Sequence, residues 1–331
     1  MRERYIDIVK GFSILCITML HYVHNVFPNE VNVFIGSFMI TAFYVTSGWV
    51  SAMHPSNRSL KELIKKRWKQ LGIPYLWWTA IILVFDFILL GFGYYDIRHI
   101  GTEIYKTITL RGIGTLWFLP ALFGGELIWH WLKKQNKAWI ILFAIAFTFL
   151  YRYLYAHIFE NETETVYRIF DAPFRTIKNI LQAWVGIAFG FYSYKLLVKN
   201  KLLFSTNNIL AFLGLVLCLF AYITANYLPK TLNFMWSWIA PLFGPLGLLL
   251  LAKSVQNWKV LNFFNYWGLH SLNLMVTHYS IVLVLFTIFI EKGLGRPFDG
   301  NVTLYCFFAS LPIQYLLVSL VNKYAKFTLG K

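Results

Sequence analysis

The stretch RYIDIVKGFSILCITMLHY, residues 4–22, is the clearest indication of the fold class of this chain. Beyond its charged start it is an apolar run that continues to about residue 27, long enough to cross the roughly 30 Å hydrocarbon core of a bilayer as a helix. The run carries Lys10 and His21 and has no small-residue cleavage site, unlike a removable signal peptide. We therefore expect it to remain in the protein as a first transmembrane helix.

Apolar stretches of similar length recur along the rest of the chain. Counted with the first, they predict an all-α, polytopic membrane protein with about ten transmembrane helices and both termini on the same side. The predicted spans are 6–27, 33–53, 73–92, 115–132, 138–156, 177–197, 206–226, 235–252, 260–290 and 302–322. No repeat or linker divides residues 1–331, so we expect a single membrane domain.

The composition supports lipid as the solvent of this protein. Hydrophobic residues make up 58% of the chain and charged residues 13%, too few to cover a water-soluble globule. The net charge of +16 lies in short clusters between apolar runs, which favours contact with anionic lipid and argues against nucleic-acid binding. Cys16, Cys218 and Cys306 each lie alone in an apolar run, which excludes a zinc site and a disulfide framework.

The distribution of basic residues predicts the orientation. Lys and Arg are concentrated in the loops on the side of the termini, above all in 54–72, so both termini should be cytoplasmic in a multi-pass protein of the cell (inner) membrane. Acidic residues favour the other side. We expect the long external loops 93–114 and 157–176 to hold an extracytoplasmic substrate.

The first helix carries a polar stripe along one face. At about 100° per residue, His21 lies only about 20° from Lys10 and about 16 Å further along the axis. Asp7 and His24 fall on the same side, with Asp7 and Lys10 near the cytoplasmic end and the two histidines in the outer half. Ionisable groups inside a span are costly, so this stripe predicts a functional, water-filled or ligand-filled core.

Each polar group also has a structural interpretation. Asp7 and Lys10 are spaced for an interfacial ion pair, and His21 could simply bond a neighbouring helix. For His21 we favour proton or acyl transfer, because an imidazole titrates near neutral pH.

Later spans contain further polar candidates. His278 shares one helical face with Trp267, Ser271 and Leu274, so it should point into the bundle. Asp86 and Glu126 are either bases or buried groups bonded between helices. Trp117 either lines a cavity or anchors the chain at the membrane interface. Sequence motifs typical of serine hydrolases, P-loop ATPases, dinucleotide-binding enzymes and zinc proteases are absent.

The order of several motifs resembles one known family. They are a basic residue followed by ten residues and His (Lys10 and His21), FYVTSGW (43–49), KRWKQLGIPY (66–75), LWFLP (116–120) and GLHSLNLMVTH (268–278). Together they resemble acyltransferase family 3 over nearly the whole chain, with a DxxKGxxI pattern similar to the fucose 4-O-acetylase-like branch. Lys10 and Gln70 stand where many members have Arg.

The resemblance implies transfer of an acyl group, most often acetyl, from cytoplasmic acetyl-CoA to a hydroxyl of an extracytoplasmic or lipid-linked saccharide. Acetyl-CoA would be a co-substrate, and no metal is expected. The partners would be a saccharide or polysaccharide acceptor, the lipid bilayer and the polysaccharide synthesis machinery, with no nucleic acid. The residues implied are His21, Asp7 and His278 in catalysis, Lys10, Lys66, Arg67 and Ser47 in donor binding, and Trp117, His24, Ser271 and Glu126 in substrate binding.

Three alternatives remain at the level of sequence. The donor could be a succinyl rather than an acetyl thioester. A transporter or flippase for a lipid-linked sugar or small metabolite would also need many helices and buried polar groups, but it would work without acyl-CoA. A purely structural partner of a polysaccharide synthase would tolerate replacement of His21.

Overall fold

The computed structural model describes residues 3–136 apart from 25, residues 164–228 and 238–331, and isolated positions from 139 to 150. The regular secondary structure of these residues is helical, which confirms the all-α prediction. The α-helices are α1 Arg4–Tyr22, α2 Asn29–Phe38, α3 Thr41–Met53, α4 Leu60–Arg67, α5 Ile73–Gly91, α6 Ile97–Ile108, α7 Phe118–Leu132, α8 Glu164–Lys199, α9 Asn207–Tyr227, α10 Ile239–Val255, α11 Asn262–Leu269, α12 Ser271–Thr277, α13 Val284–Ile288 and α14 Asn301–Tyr324.

Several of these helices are suited to a bilayer. Within the described residues, six helical segments are long and apolar enough to cross one, namely Arg4–Tyr22, Asn29–Met53, Leu60–Gly91, Asn207–Tyr227, Ser271–Gly293 and Asn301–Tyr324. Helix α10 is apolar but shorter. A polytopic membrane protein is therefore supported, whereas ten spans and the placement of both termini stay predictions.

The helix bounds follow most predicted spans closely, but the predicted span 260–290 is interrupted at His270, between α11 and α12. Helix α5 matches 73–92, α9 matches 206–226, and α14 matches 302–322. Helix α8 contains the predicted span 177–197 but begins at Glu164. Most of the predicted span 138–156 lies outside the described residues.

Apolar side chains on the outside of α9 show why lipid is the expected solvent. Phe212 is 65% exposed, Leu215 59% and Leu219 58%. A helix satisfies its own backbone hydrogen bonds, so it can present such a surface to hydrocarbon at no cost in unpaired polar groups. The opposite side of α9 packs closely on α10, where Gly214 and Gly247 let the backbones approach.

The helices fall into two compact units. The first contains residues 1–56 and 189–326, and the second contains residues 57–188 and 327–331. In the first unit, α1 packs against α3, α10 and α11, and its Tyr5 hydroxyl accepts a 2.8 Å hydrogen bond from Trp49 Nε1. This buried contact fixes the amino-terminal end of α1.

The second unit contains a helix within a predicted external loop. In residues 93–114, α6 occupies 97–108 and folds back along α5, whereas the external placement of this segment stays a prediction. The Tyr75 hydroxyl, near the start of α5, donates to the Thr107 carbonyl at 3.0 Å. The two helices are thus antiparallel, and the end of α6 lies level with the start of α5.

Candidate active site

Two helices of the first unit cross at a pair of glycines. A Cβ at Gly11 of α1 would collide with the Phe264 carbonyl oxygen, and one at Gly268 of α11 would collide with the Asp7 carbonyl oxygen. Only glycine allows this backbone approach. The Arg4 guanidinium, at the start of α1, donates a 2.7 Å hydrogen bond to the Asn262 side-chain oxygen at the start of α11. The two helices therefore run parallel.

The crossing sets the register of two histidines. His21 follows Gly11 by ten residues, and His278 follows Gly268 by ten residues. His21 therefore lies about 15 Å beyond the crossing on α1. His278 lies beyond the break at His270 that separates α11 from α12. His21 Nδ1 and His278 Nε2 are 2.9 Å apart, and the rings stack at 17° with centroids 5.2 Å apart.

The helix around His278 departs from regular α geometry. Helix α12 passes into a π-helical turn over His278–Leu283, and such turns are frequent at functional sites. His278 is 0% exposed, which confirms that it points into the bundle. Its Nδ1 lies 2.7 Å from the Leu274 carbonyl oxygen.

These contacts determine which nitrogens carry protons. A carbonyl oxygen only accepts hydrogen bonds, so His278 Nδ1 must be protonated and donate to Leu274. With both rings neutral, His278 Nε2 is then an acceptor, and His21 Nδ1–H donates to it. The remaining nitrogen, His21 Nε2, keeps its lone pair. The half-buried His21 is therefore oriented as a base or nucleophile, in the way that a buried partner orients a catalytic histidine elsewhere.

Other side chains enclose the histidine pair. The Tyr22 hydroxyl donates to the His278 carbonyl at 3.1 Å. The Tyr279 ring meets His21 edge-on at 4.9 Å between centroids. His24, assigned to substrate binding from the sequence, is exposed, and its backbone N–H donates to Thr303 at 3.1 Å.

The remaining predicted residues of the first unit are more distant along their helices. Asp7 is buried, and it precedes His21 by about 21 Å of helix rise, too far to contact an atom that reacts at His21. Lys10 is half-buried about 16 Å below His21. Ser47 is half-buried in α3, and Ser271 is half-buried at the start of α12. Sequence analysis thus placed Asp7 in catalysis, but the geometry does not bring it to the histidine pair.

The other predicted residues belong to the second unit. Arg67 forms an ion pair with the buried carboxylate of Glu126, and it also donates to Gln70 at 2.7 Å. This pairing favours the structural interpretation of Glu126 that the sequence left open. Lys66 is half-buried beside Arg67 in sequence. Trp117 occupies the N-cap position of α7.

Sequence reasoning did not predict the roles of Tyr22, Tyr279 and Leu274. Nothing in their local sequence distinguishes them from other apolar and aromatic residues of the spans. The equal spacing from glycine to histidine in residues 11–21 and 268–278 was the one available signal that the two helices share a register. Across the described ranges, no group of three or more His, Cys, Asp or Glu side chains could hold a metal ion.

Comparison with known proteins supplies a family. A family model described as an acyltransferase domain matches residues 3–321, and it is the model of acyltransferase family 3. Comparison with curated proteins and with solved structures gives no match.

Proposed function

Because this chain belongs to acyltransferase family 3, we propose that it transfers an acetyl group from acetyl-CoA to a hydroxyl of a saccharide on the outer side of the cell membrane. The observation that carries the proposal is the His21–His278 hydrogen bond, which leaves His21 Nε2 with a lone pair. Acyl transfer to a hydroxyl needs such a base or nucleophile, because an alcohol is a poor nucleophile until it loses its proton.

The same nitrogen serves either route of transfer. In direct transfer, His21 Nε2 removes the proton as the hydroxyl oxygen bonds to the thioester carbonyl carbon. The carbon–sulfur bond then breaks, and the departing CoA thiolate takes the proton back from Nε2. In the covalent route, Nε2 itself displaces the CoA thiolate. The saccharide hydroxyl then takes the acetyl group from the ring, and its proton passes to the thiolate, so that the ring returns to its neutral form.

His278 supports the positive charge that develops on His21. Its Nε2 accepts the Nδ1–H of His21, and this bond strengthens when His21 becomes an imidazolium or an acyl-imidazolium. The Leu274 carbonyl holds His278 in the required tautomer. His278 is therefore a positioning residue, and His21 is the residue that meets the substrates.

Basic residues attract the donor in this proposal. Lys10 lies on the His21 face of α1, on the side predicted to be cytoplasmic, where CoA is available. The Lys10 to His21 rise of about 16 Å is of the order of the pantetheine arm. Lys66 and Arg67, in the basic segment 54–72, would attract CoA phosphates at the same membrane face.

The proposal is tested with purified protein in lipid nanodiscs. The acceptor is a saccharide extract from the cells in which the protein naturally occurs. Radiolabelled acetyl-CoA should place label on the saccharide as an alkali-labile ester, and omission of the donor should leave none. Labelled succinyl-CoA in a parallel reaction measures the donor preference. Nanodiscs without protein are the control for spontaneous acylation.

The outcomes separate the candidate functions. Label from acetyl-CoA alone supports the proposal, and equal or greater label from succinyl-CoA would assign the other donor. Saccharide that crosses sealed vesicles without any acyl-CoA, with no ester formed, would contradict acyl transfer in favour of transport.

A further inference from the structure

The turn that joins α6 to α7 is held firmly against α8 in the second unit. The Thr176 hydroxyl of α8 donates to the Thr109 carbonyl at 2.9 Å. Within the turn, Leu110 and Gly112 have positive φ values of 57° and 70°, and the Gly112 N–H donates to the Lys106 carbonyl at 2.9 Å. The turn therefore has a fixed conformation, and it presents Arg111 next to α8.

Basic side chains from the turn and from α8 meet at this point. Arg175 precedes Thr176, and Lys178 follows Arg175 by three residues, which puts both on one face of the helix. Asp171 lies on that face too and pairs with Arg175 at 2.6 Å. Arg111, two residues after Thr109, is within electrostatic reach of Arg175 and Lys178. We call Arg111, Arg175 and Lys178 the basic cluster.

The environment of Arg111 is partly desolvated and includes an aromatic ring. Burial lowers the pKa of the Arg111 guanidinium, Arg175 lowers it further, and Asp171 and Glu103 act in the opposite direction. The guanidinium carbon of Arg111 lies 5.9 Å from the centre of the Trp117 ring. Cations brought together in such surroundings repel one another, and a bound anion would relieve this repulsion.

We propose that the basic cluster binds an anionic group of the acceptor, a carboxylate or a phosphate carried by the saccharide, while Trp117 contacts a sugar ring. Guanidinium groups bond carboxylates and phosphates through paired N–H donors, and an indole ring offers a flat apolar surface. The inference rests on the proposed function, and it adds that the acceptor is acidic or carries a lipid phosphate.

The basic cluster is separate from Arg67, one of the residues proposed to attract the phosphates of CoA. Trp117 precedes Glu126, the partner of Arg67, by about 13 Å of helix rise. At its other end, α7 leads into Lys133 and Lys134, which the charge distribution places on the cytoplasmic side. The basic cluster is therefore displaced from Arg67 along α7, on the side away from Lys133 and Lys134, and a second anionic group can bind there.

Binding of defined probes to the protein in nanodiscs of neutral lipid tests the inference. The probes are an oligosaccharide of glucuronic acid, a polyprenyl phosphate, neutral maltotriose and CoA. Wild-type protein should bind one of the two anionic acceptor probes more tightly than maltotriose, with an affinity that falls as salt rises. Which of the two binds identifies the source of the anion.

Variants separate the basic cluster from general attraction to a basic protein. Arg111→Gln and Lys178→Gln should each weaken binding of that probe by about tenfold. Lys178 is exposed, so this variant should fold even where Arg111→Gln does not. Lys292→Gln, which removes an exposed charge from the first unit, is the matched control and should bind as the wild type does.

Three results would overturn the inference: no preference over maltotriose, equal binding by the cluster variants and the Lys292→Gln control, or a loss of CoA binding in the cluster variants as large as their loss of the anionic probe. Failure of the proposed function gives a different pattern. His21→Ala should still bind the anionic probe. If the wild-type protein binds the probe but never forms an ester, the anion site is supported and the proposed acyl transfer is contradicted.

Discussion

At His21, the hydrogen-bond chain from Leu274 through His278 determines the chemistry that one ring can perform. His278 donates through Nδ1 and accepts through Nε2, so His21 is left with an unprotonated Nε2. Both nitrogens of His278 are in use, and its ring is fully buried. A change at His278 should therefore act through His21 rather than through substrate contact.

Replacement of His278 tests that dependence. Gln can place an amide oxygen where His278 Nε2 accepts, whereas Leu offers no acceptor. We expect His278→Leu to lower kcat by roughly 10²-fold and His278→Gln to restore a large part of it, with KM for acetyl-CoA little changed in both. Steady-state kinetics with each purified variant, at matched thermal unfolding midpoints, give the result. Equal losses in both variants would leave His278 as a packing residue.

The sequence predicted part of this site. His21 and Lys10 could be identified because their helical spacing places them on one face, and the inward direction of His278 followed from its neighbours on α12. The bond between the histidines joins residues 257 apart in sequence, so local pattern carries no information about it. The catalytic assignment of Asp7 came from the family resemblance and from the polar stripe on the first helix. Asp7 and His21 are about 21 Å apart along α1, so the two side chains do not meet.

At the level of the elements, the glycine crossing sets the distance between the two histidines. Helices α1 and α11 approach until backbone meets backbone at Gly11 and Gly268. A larger residue there would separate the helices, and the displacement would extend to residues ten positions further along each chain segment.

Gly11→Ala should therefore destabilise the protein and reduce transfer. Alanine favours a helix by up to about 1 kcal/mol, but overpacking against the Phe264 carbonyl costs about 1–3 kcal/mol or more. Thermal unfolding in detergent and the rate of acetyl transfer measure the two effects. Gly91→Ala is the matched control, because a Cβ at Gly91 meets nothing within 4 Å. A Gly11→Ala protein as stable and active as Gly91→Ala would refute the close crossing.

The ion pair between α4 and α7 gives a second prediction at this scale. Arg67→Met leaves the buried Glu126 carboxylate without its partner, a change that costs about 3–5 kcal/mol for buried pairs. Adding Glu126→Gln removes the stranded charge and should restore most of the folded protein, as measured by size-exclusion chromatography in detergent. If Arg67 also attracts CoA, the double variant should keep a raised KM for acetyl-CoA. Recovery of both stability and KM would confine Arg67 to a structural role.

For the whole molecule, hydropathy predicted the helical class and most helix bounds, because each span must bury its own backbone polar groups. The antiparallel return of α6 was not predicted. Ile97–Ile108 is amphipathic and contains Glu103 and Lys106, so its composition is similar to that of a loop between two membrane spans. Its place beside α5 depends on tertiary contacts such as that between Tyr75 and Thr107.

The predicted orientation is open to a direct test. In a background with the three cysteines replaced by serine, Ser56→Cys should react only with a membrane-permeant maleimide, and Arg296→Cys should also react with an impermeant one. Both positions are exposed, so access depends on the side of the membrane. The reverse pattern would show the inverted topology. Lys10 and the loop 54–72 would then lie on the outer side of the membrane, where no acyl-CoA is expected.

Acetyl transfer in sealed inside-out membrane vesicles tests the role of His21 directly. Radiolabelled acetyl-CoA is supplied at their outer surface, which is the cytoplasmic face, and ester-linked label on enclosed saccharide is counted. The variants are His21→Ala and the exposed-histidine control His54→Ala, at equal protein. We expect label with the wild type and His54→Ala and none with His21→Ala. Label at the wild-type rate with His21→Ala would contradict the central role of His21 Nε2.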